Sequence, residues 1–390
     1  MRTADDNHAP ARRDTIAPMS SPASPESPAP PDLAALLTIA DLERAAAAAL
    51  SPMALRYYRS GADAEHTLLE NQAAFARWVL YYRVLVDVST RDLSTTVLGT
   101  RVAAPILIAP TAYHRLAHPD GEVGTARAAA AAGLIYVMST LATTTIEDLA
   151  TATPGAPRWF QLYVHKDAGL TRALVARAAA AGHSAIVVTV DTPLLGRRIG
   201  DERHGFALPD GLSMVNLLGD ATPRSGSALA AYVAERHEPA LTWKHIEALR
   251  ASTALPIVLK GIVRADDARR AADVGVAAII VSNHGGRQLD HAPATIDALP
   301  AVADAVAGRC EVLMDGGVRW GTDIVKALAL GARAVLLGRP ILWGLAAGGQ
   351  PGVTRALDIL TTELSRAMAL AGCAHVHDIT RDLVREAPRR

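Results

Sequence analysis

Cysteine is scarce in this chain, which has 390 residues but only Cys310 and Cys373. One disulfide bond between two cysteines could not stabilise a chain of this length, so we expect both to be ordinary buried thiols in a reducing compartment. The 39 basic and 39 acidic side chains cancel, which leaves no overall field to hold nucleic acid or a membrane surface. No uncharged apolar run reaches about 18 residues, and no apolar segment near the start suggests secretion. These absences predict a cytoplasmic protein with no nucleic-acid or membrane partner.

The usual metal-binding patterns are absent as well. The sequence has no HExxH, no CxxC and no pair of histidines at ligand spacing after any predicted strand. We therefore expect no metal site. Lysine is also rare, whereas arginine and alanine are abundant, which indicates a G+C-rich bacterial genome.

Apolar residues, by contrast, make up 50% of the chain, which is ample for a large core. Residues 1–32 differ from the rest because proline, serine and alanine dominate them without an apolar period. Such a segment cannot bury enough surface to offset its ordering entropy, so we predict a disordered extension. Two amphipathic helical stretches follow, and then strands and helices alternate. We predict that residues 33–390 form one domain.

Eight short apolar runs in that domain have the character of parallel strands buried on both faces. Ala-rich helical segments separate them, and several of these end in glycine. Eight βα units predict an α/β fold, a (β/α)8 TIM barrel with N-terminal helices. An open doubly wound sheet is the alternative, but no GxGxxG follows the first run. The predicted strands are 105–109, 134–139, 158–163, 185–190, 256–260, 277–282, 311–315 and 333–337.

One connection is much longer than the others. About 65 residues separate the fourth and fifth predicted strands, and within them residues 199–240 are polar and interrupted by glycine and proline. Long loops inside compact domains are usually functional. Since this loop leaves the carboxyl end of a strand, where barrel active sites lie, we predict a lid over the site.

Glycines and arginines follow the last two predicted strands. Gly316, Gly317 and Arg319 follow the seventh strand, and Gly338 and Arg339 follow the eighth. Barrels commonly bind phosphate at these two loops through backbone amides and a cation. The alternative is that the glycines only allow turns. The pattern favours a phosphate site.

The loop after the sixth predicted strand carries His284 and Arg287. Histidine is the usual general base near neutral pH, and arginine recognises a carboxylate bidentately. Asp191, which follows the fourth strand, could orient the imidazole and stabilise its charged form. Ten other histidines are interpreted as surface, loop or capping residues, namely His8, His66, His118, His183, His204, His237, His245, His291, His375 and His377.

At SNHGGRQLD (282–290) the sequence resembles the FMN-dependent 2-hydroxy acid oxidase/dehydrogenase family, which includes glycolate oxidase, lactate oxidase and mandelate dehydrogenase. The similarity covers about residues 36–380. It extends to separate motifs along the chain, namely YYRSGADAEHTLLEN, LIAPTAYHRLAHPDGE, FQLYVHKD, VTVDTPLLGRR, VLKGI, DGGVRWGTD and LGRP.

The resemblance implies bound FMN and assigns residues to it. Lys260 would stabilise the reduced flavin by its charge, and Asp315 would join the phosphate loops in holding the ribityl chain and phosphate. The complete implied FMN set is Pro110, Thr111, Ala112, Ser139, Gln161, Thr189, Lys260, Ser282, Asp315, Gly316, Gly317, Arg319, Gly338 and Arg339.

The resemblance also implies how the substrate binds. Tyr57, Arg287 and Arg198 would hold the carboxylate of a 2-hydroxy acid, and Tyr163 would bond near the reacting hydroxyl. His284 would remove a proton, from either Cα or the hydroxyl, and Asp191 would stabilise the imidazolium. The implied product is the 2-oxo acid.

The sequence says less about the identity of the substrate and of the electron acceptor than about the cofactor and the reaction. Leu141 stands where glycolate oxidase has tryptophan, which favours lactate-like or mandelate-like (S)-2-hydroxy acids over glycolate, and Tyr113 borders the same pocket. The motif around Tyr113 resembles the mandelate and hydroxymandelate oxidase branch. With no haem domain and no apolar anchor in the lid, O2 is the simplest acceptor, and Ala112 fits this.

The alternative enzyme is a dehydrogenase that uses a quinone or another carrier. A barrel isomerase acting on a phosphorylated substrate and a binding module without catalysis are the more distant alternatives. The family resemblance further implies a homo-oligomer, a tetramer or octamer.

Overall fold

Eight parallel strands close into a barrel in this computed structural model, which describes residues 31–217 and 235–388. The strands follow one another around the barrel in chain order, and β11 closes it against β4. The predicted TIM barrel is therefore confirmed. The strands are β1 Trp78–Leu80, β2 Thr95–Val97, β3 Thr100–Val102, β4 Ile106–Ile108, β5 Ile135–Met138, β6 Arg158–Leu162, β7 Ile186–Thr189, β8 Ile257–Ile262, β9 Ala278–Val281, β10 Glu311–Asp315, β11 Ala334–Leu337 and β12 Val384–Glu386.

The barrel strands are buried along almost their whole length, which is why they read as continuous apolar runs and not as alternating ones. Helices cover the outside of the barrel. They are α1 Ile39–Ala49, α2 Pro52–Arg59, α3 His66–Ala73, α4 His114–Ala117, α5 Gly121–Ala131, α6 Ile146–Ala152, α7 Ala168–Ala180, α8 Ile199–Arg203, α9 Trp243–Ser252, α10 Ala265–Asp273, α11 Thr295–Val306, α12 Gly321–Ala329 and α13 Arg339–Ala371.

Helix α2 brings the N-terminal region to the carboxyl ends of the strands. Ser51 caps its first turn, with Pro52 at the first helical position, where proline is best tolerated. Tyr57 and Tyr58 near its end are buried. The predicted N-terminal helices thus supply side chains to the mouth of the barrel.

The fifth barrel strand, β8, is longer than expected. The sequence predicted its end at Lys260, but it continues to Ile262 through an irregularity in its pairing with β9. Gly261 makes this continuation feasible, because its φ is +113° and an added Cβ would lie 2.6 Å from the Cβ of Asp191. The close approach sets Asp191 beside the end of β8.

Two short strand pairs were not predicted. β2 and β3 form a hairpin, and β1 pairs antiparallel with β12, which joins the beginning of the domain to its end. Each of these strands has three residues, too few for a period of two to be recognised.

Parts of two predicted segments lie outside the described residues. Of the predicted extension, 1–32, only the last two residues are described, and Asp32 caps a short 3-10 turn. Of the predicted lid, 199–240, the structure describes residues 199–217, including α8, and residues 235–240. Among the described residues no helix is long and apolar enough to cross a membrane.

Candidate active site

A cavity opens at the carboxyl ends of the barrel strands, with about 1120 Å³ of open space that is partly continuous with solvent. Ligand sites of this fold lie at that face. The sequence-predicted residues that line it are Tyr57, Pro110, Thr111, Ala112, Ser139, Leu141, Tyr163, Arg198, Lys260, His284, Arg287, Asp315, Gly316, Gly317, Arg319, Gly338 and Arg339.

Four predicted residues stand behind this lining. Gln161 accepts a hydrogen bond from Ser139 Oγ at 3.2 Å and donates one to Thr189 Oγ1 at 3.0 Å. Ser282 accepts a bond from the Lys260 ammonium at 3.0 Å. Asp191 contacts the cavity through His284. These side chains therefore support the lining residues and fix their orientation.

His284 and Asp191 form a hydrogen-bonded pair. The Nδ1 atom of His284 lies 2.9 Å from Oδ1 of Asp191. Burial lowers the pKa of His284, although the adjacent carboxylate opposes the shift. Burial also disfavours the Asp191 carboxylate, but His284 and the Lys260 ammonium outweigh it and lower the pKa of Asp191. At neutral pH the pair is thus a neutral imidazole and a carboxylate, with Nε2 left as the basic nitrogen.

Lys260 is a buried ammonium with a carboxylate partner. Its Nζ lies 3.0 Å from Oδ2 of Asp315. Burial alone would lower its pKa, but Asp315 and Asp191 raise it above the ordinary value. The cavity therefore contains a fixed positive charge in the carboxyl-terminal half of β8. The other oxygen of Asp315, Oδ1, is buried without a hydrogen-bond partner among the described residues.

Arg287 and Arg198 place two guanidinium groups in the same cavity. Arg287 donates to the carbonyl oxygens of Tyr57 and Ser60 at 2.7 and 2.8 Å, and its guanidinium carbon lies 5.0 Å from the centre of the Tyr57 ring. Burial and the charge of Arg198 lower the pKa of Arg287 to about 10. Within residues 31–217 and 235–388, the nearest carboxylate to Arg198 is 3.9 Å away, on Asp201. An anion between the two guanidiniums would relieve their repulsion.

Arg319 and Arg339 lie at the ends of β10 and β11. Arg339 donates to the carbonyl oxygens of Tyr58, Ser60 and Gly285. Burial lowers the pKa of both arginines. Neither has a carboxylate within 4.0 Å in residues 31–217 and 235–388. Gly316 and Gly317 line the cavity beside them with φ of +99° and +82°. Two partly buried guanidinium groups beside glycine backbone fit a phosphate group.

The wall of the cavity also contains residues that the sequence analysis missed. Tyr58, Thr192 and Gly285 adjoin predicted residues in the chain, so their neighbours were a usable signal. Leu195 and His237 are not adjacent in the chain to any predicted site residue, so their neighbours provided no comparable indication. His237 and His183, interpreted as surface, loop or capping residues, both lie in loops, but both are buried and neither is at the surface. Tyr113, predicted to border the pocket, is fully buried and packs 5.7 Å from Tyr57 without lining the cavity.

A buried polar network supports the loop after β4. Thr111 Oγ1 lies 2.5 Å from Nε2 of His114, whose Nδ1 lies 2.9 Å from Thr125 Oγ1. Glu122 accepts hydrogen bonds from the backbone amides of His114 and Thr143. These buried hydrogen bonds therefore fix the loop that carries Thr111.

Among the residues that the structure describes, no group of histidine, cysteine, aspartate and glutamate side chains could hold a metal ion.

The family model described as FMN-dependent dehydrogenase matches residues 46–386. The chain belongs to the FMN-dependent dehydrogenase family. FMN is its cofactor, as the sequence resemblance implied, and the unpartnered Asp315 oxygen and the cations at Arg319 and Arg339 fit the polyhydroxy chain and phosphate of FMN.

Characterised members of the FMN-dependent dehydrogenase family resemble this chain over most of its length. L-lactate oxidase from Nostoc sp. is 53% identical over 351 residues, which cover 88% of this chain and 96% of that protein. 2-Hydroxyacid oxidase 1 from Homo sapiens is 51% identical over 360 residues, covering 90% and 97%. The crystal structure of mandelate oxidase with (S)-4-hydroxymandelic acid superposes with a TM-score of 0.86 at 45% identity, covering 90% and 99%.

Proposed function

We propose that this chain is an oxidase that converts a 2-hydroxy acid of the (S) configuration to the 2-oxo acid. The reaction class expected from the sequence is confirmed by the family and by its relatives, which include lactate, 2-hydroxyacid and mandelate oxidases and favour an oxidase over a dehydrogenase. One observation supports the residue roles most strongly. The His284–Asp191 pair and the two guanidiniums of Arg198 and Arg287 share one cavity with the residues that fit FMN.

FMN would be held by residues at the carboxyl-terminal parts of all eight barrel strands. Arg319, Arg339 and the glycines beside them would bind its phosphate, and Lys260 would place an ammonium against the ring system. The chemistry that FMN supplies when bound is acceptance of the two electrons that leave the substrate. A fixed ammonium favours negative charge that develops beside it, since the buried Lys260 needs no reorganisation to respond.

The substrate carboxylate would lie between Arg287 and Arg198. Arg198 is buried and Arg287 is partly buried, so a carboxylate between them gains charge-assisted hydrogen bonds that are stronger than in water. Tyr57 stacks on Phe206 at 4.1 Å between ring centres, which keeps Tyr57 fixed beneath the Arg287 guanidinium. The three side chains thus orient the acid in the site.

His284 would take the proton. Its Nδ1 bonds Asp191, so the neutral ring presents Nε2 to the cavity as base. When Nε2 is protonated, the carboxylate of Asp191 stabilises the imidazolium. Burial raises the pKa of Tyr163, so its hydroxyl stays protonated and can donate to a substrate oxygen.

The electron acceptor is proposed to be O2. Under air, the purified enzyme with a 2-hydroxy acid should consume one O2 and form one H2O2 for each 2-oxo acid produced. An oxygen electrode and a peroxidase-coupled assay measure both. Turnover only with an added quinone or dye, and none with O2, would favour the dehydrogenase alternative.

Leu141 is proposed to set the preference for lactate-like or mandelate-like acids over glycolate. It lines the same cavity as Tyr163 and Leu195. One methylene in an apolar pocket is worth about 1–3 kcal/mol, so the preference should be graded. We expect Leu141→Trp to shift kcat/KM toward glycolate by about tenfold or more relative to larger acids, with FMN binding unchanged. Equal relative rates across an acid panel in both proteins would contradict this role.

We also propose a homo-oligomer located in the cytoplasm. Tyr81, Tyr82, Val84 and Leu85 follow β1 as an exposed apolar segment, and such contiguous patches commonly mark protein interfaces. Light scattering coupled to size exclusion should give the mass of a tetramer or octamer of the 40.9 kDa chain. A monomer at micromolar concentration would refute the assembly.

A further inference from the structure

The loop that follows β7 returns to the barrel beside Tyr163. Residues 236–238 pair with residues 164–166, which come directly after β6. The Lys166 amide donates to the Arg236 carbonyl at 2.9 Å, and the Glu238 amide donates to the Val164 carbonyl at 3.0 Å. Backbone bonds on both sides of His237 therefore fix its position relative to the end of β6.

The side chain of His237 lies against Tyr163. The two rings stack with their centres 4.6 Å apart and an angle of 21° between their planes. His165 packs on His237 edge to face, with ring centres 5.5 Å apart. His237 is 3% exposed and lines the same cavity as Tyr163, Leu141 and Leu195. One buried ring thus contacts both a proposed substrate-binding residue and the cavity.

We propose that His237 is a positioning and specificity-determining residue, which holds the Tyr163 ring by stacking and forms the wall of the pocket that receives the substrate side chain. The proposal rests on the proposed function, because it assigns the side-chain end of that same site.

The stacking matters because Tyr163 stands just beyond the last residue of β6. Its backbone amide bonds Thr140 Oγ1 at 3.3 Å, but its ring can still rotate about two side-chain bonds. A stacked partner removes that freedom. Because the returning loop carries His237, this stacking contact links the orientation of the Tyr163 hydroxyl to the position of that loop.

The imidazole of His237 acts here as an uncharged aromatic surface. Burial, together with the neighbouring His165, lowers the pKa of His237 to about 3. The ring therefore adds no third cation beside Arg198 and Arg287 at neutral pH. Proton removal is assigned to His284, because the Asp191 carboxylate is paired with that ring and can stabilise its charged form.

The test compares His237→Ala and His237→Phe with the wild-type holoenzyme. Anaerobic flavin reduction is followed with lactate and with mandelate in each protein. His237→Ala should lower kcat/KM for lactate about 2- to 10-fold, because stacking is lost. It should raise the mandelate-to-lactate ratio about tenfold, because the wall recedes. His237→Phe should keep the lactate rate within about threefold of wild type and lower that ratio.

A double-variant cycle with Tyr163→Phe isolates the positioning role. If His237 acts on rate through the Tyr163 hydroxyl, the loss for lactate caused by His237→Ala should largely vanish in the Tyr163→Phe background. His183→Ala is the matched control, since His183 is also buried, its pKa is also lowered by burial, to about 4, and it packs on Phe160 away from the cavity. It should lower Tm and leave the mandelate-to-lactate ratio unchanged.

Three results would overturn the inference. A mandelate-to-lactate ratio within about twofold of wild type in both His237 variants would show that His237 does not form the wall of the side-chain pocket. If the losses caused by His237→Ala and Tyr163→Phe were fully additive, His237 would not act through the Tyr163 hydroxyl. An equal loss of several hundredfold for both acids would make His237 a catalytic group instead. Wild-type flavin that no 2-hydroxy acid reduces would instead overturn the proposed function and this inference together.

Discussion

Replacing His284 with glutamine should slow flavin reduction by several orders of magnitude, beyond the 10²–10⁴ typical of general-base assistance. The reason is structural. Among the described residues that line the cavity, no other neutral base has a carboxylate behind it, since Nδ1 of His284 lies 2.9 Å from Asp191. Glutamine keeps a polar side chain there but cannot accept the proton. Stopped-flow reduction of the bound flavin measures the loss directly.

FMN should remain bound in His284→Gln, because the residues that fit its phosphate lie on β10, β11 and the loops after them. His66→Gln, at an exposed position, is the matched control and should behave as wild type. Reduction by His284→Gln at near wild-type rate would show that another group removes the proton.

The same pair predicts the pH dependence of the wild type. His284 works as a base only when neutral, and burial lowers its pKa below the ordinary value. Flavin reduction should therefore be fully active at neutral pH and fall only as the pH drops through this lowered pKa. Asp191→Asn removes the carboxylate that stabilises the charged ring, so the acid limb should move to still lower pH while the maximal rate falls.

Truncating Arg287 to methionine should lower kcat/KM by about 30- to 1000-fold, which corresponds to about 2–4 kcal/mol for a desolvated charge pair. The loss should be chiefly a rise in KM, because the carboxylate is bound in the ground state as well as in the transition state. Arg198→Met should have a smaller effect, since Arg287 shares its loop with the base.

Arg287→Lys separates charge from geometry. It retains the positive charge but not the planar fork that donates to Tyr57 and Ser60, so partial recovery is expected. Arg264→Met is the control for loss of an arginine, because Arg264 is largely exposed and pairs with Asp266. Steady-state kinetics on one acid suffice. Unchanged kinetics in Arg287→Met would refute the carboxylate clamp.

The barrel could be predicted from sequence because its signals are local. Each strand is an apolar run bounded by turn residues, and the polar residue after it is set by the chain itself, as with Asp191, Asp315 and Arg339. Parallel strands then bring these ends to one mouth. The runs are continuously apolar and do not alternate between apolar and polar residues, and this pattern indicates parallel strands that are buried on both faces.

The missed features depend on contacts between distant segments. The β1–β12 pair joins residues about 300 positions apart through strands of three residues, which carry no period of their own. His237 reaches Tyr163 only because the loop after β7 returns to pair with residues 164–166. Nothing near His237 in the sequence indicates that return. The extension of β8 to Ile262 likewise depends on how closely Gly261 approaches Asp191.

The most direct test of the central claim is an anaerobic titration of the purified holoenzyme with (S)-2-hydroxy acids. We expect the absorbance of the oxidised flavin to bleach with one equivalent of lactate or mandelate and one equivalent of 2-oxo acid to appear. Admission of air should then restore the absorbance with release of H2O2. Denaturation should then release FMN. A protein that releases FMN but whose flavin no 2-hydroxy acid reduces would contradict the assignment of this cavity as the site of 2-hydroxy acid oxidation.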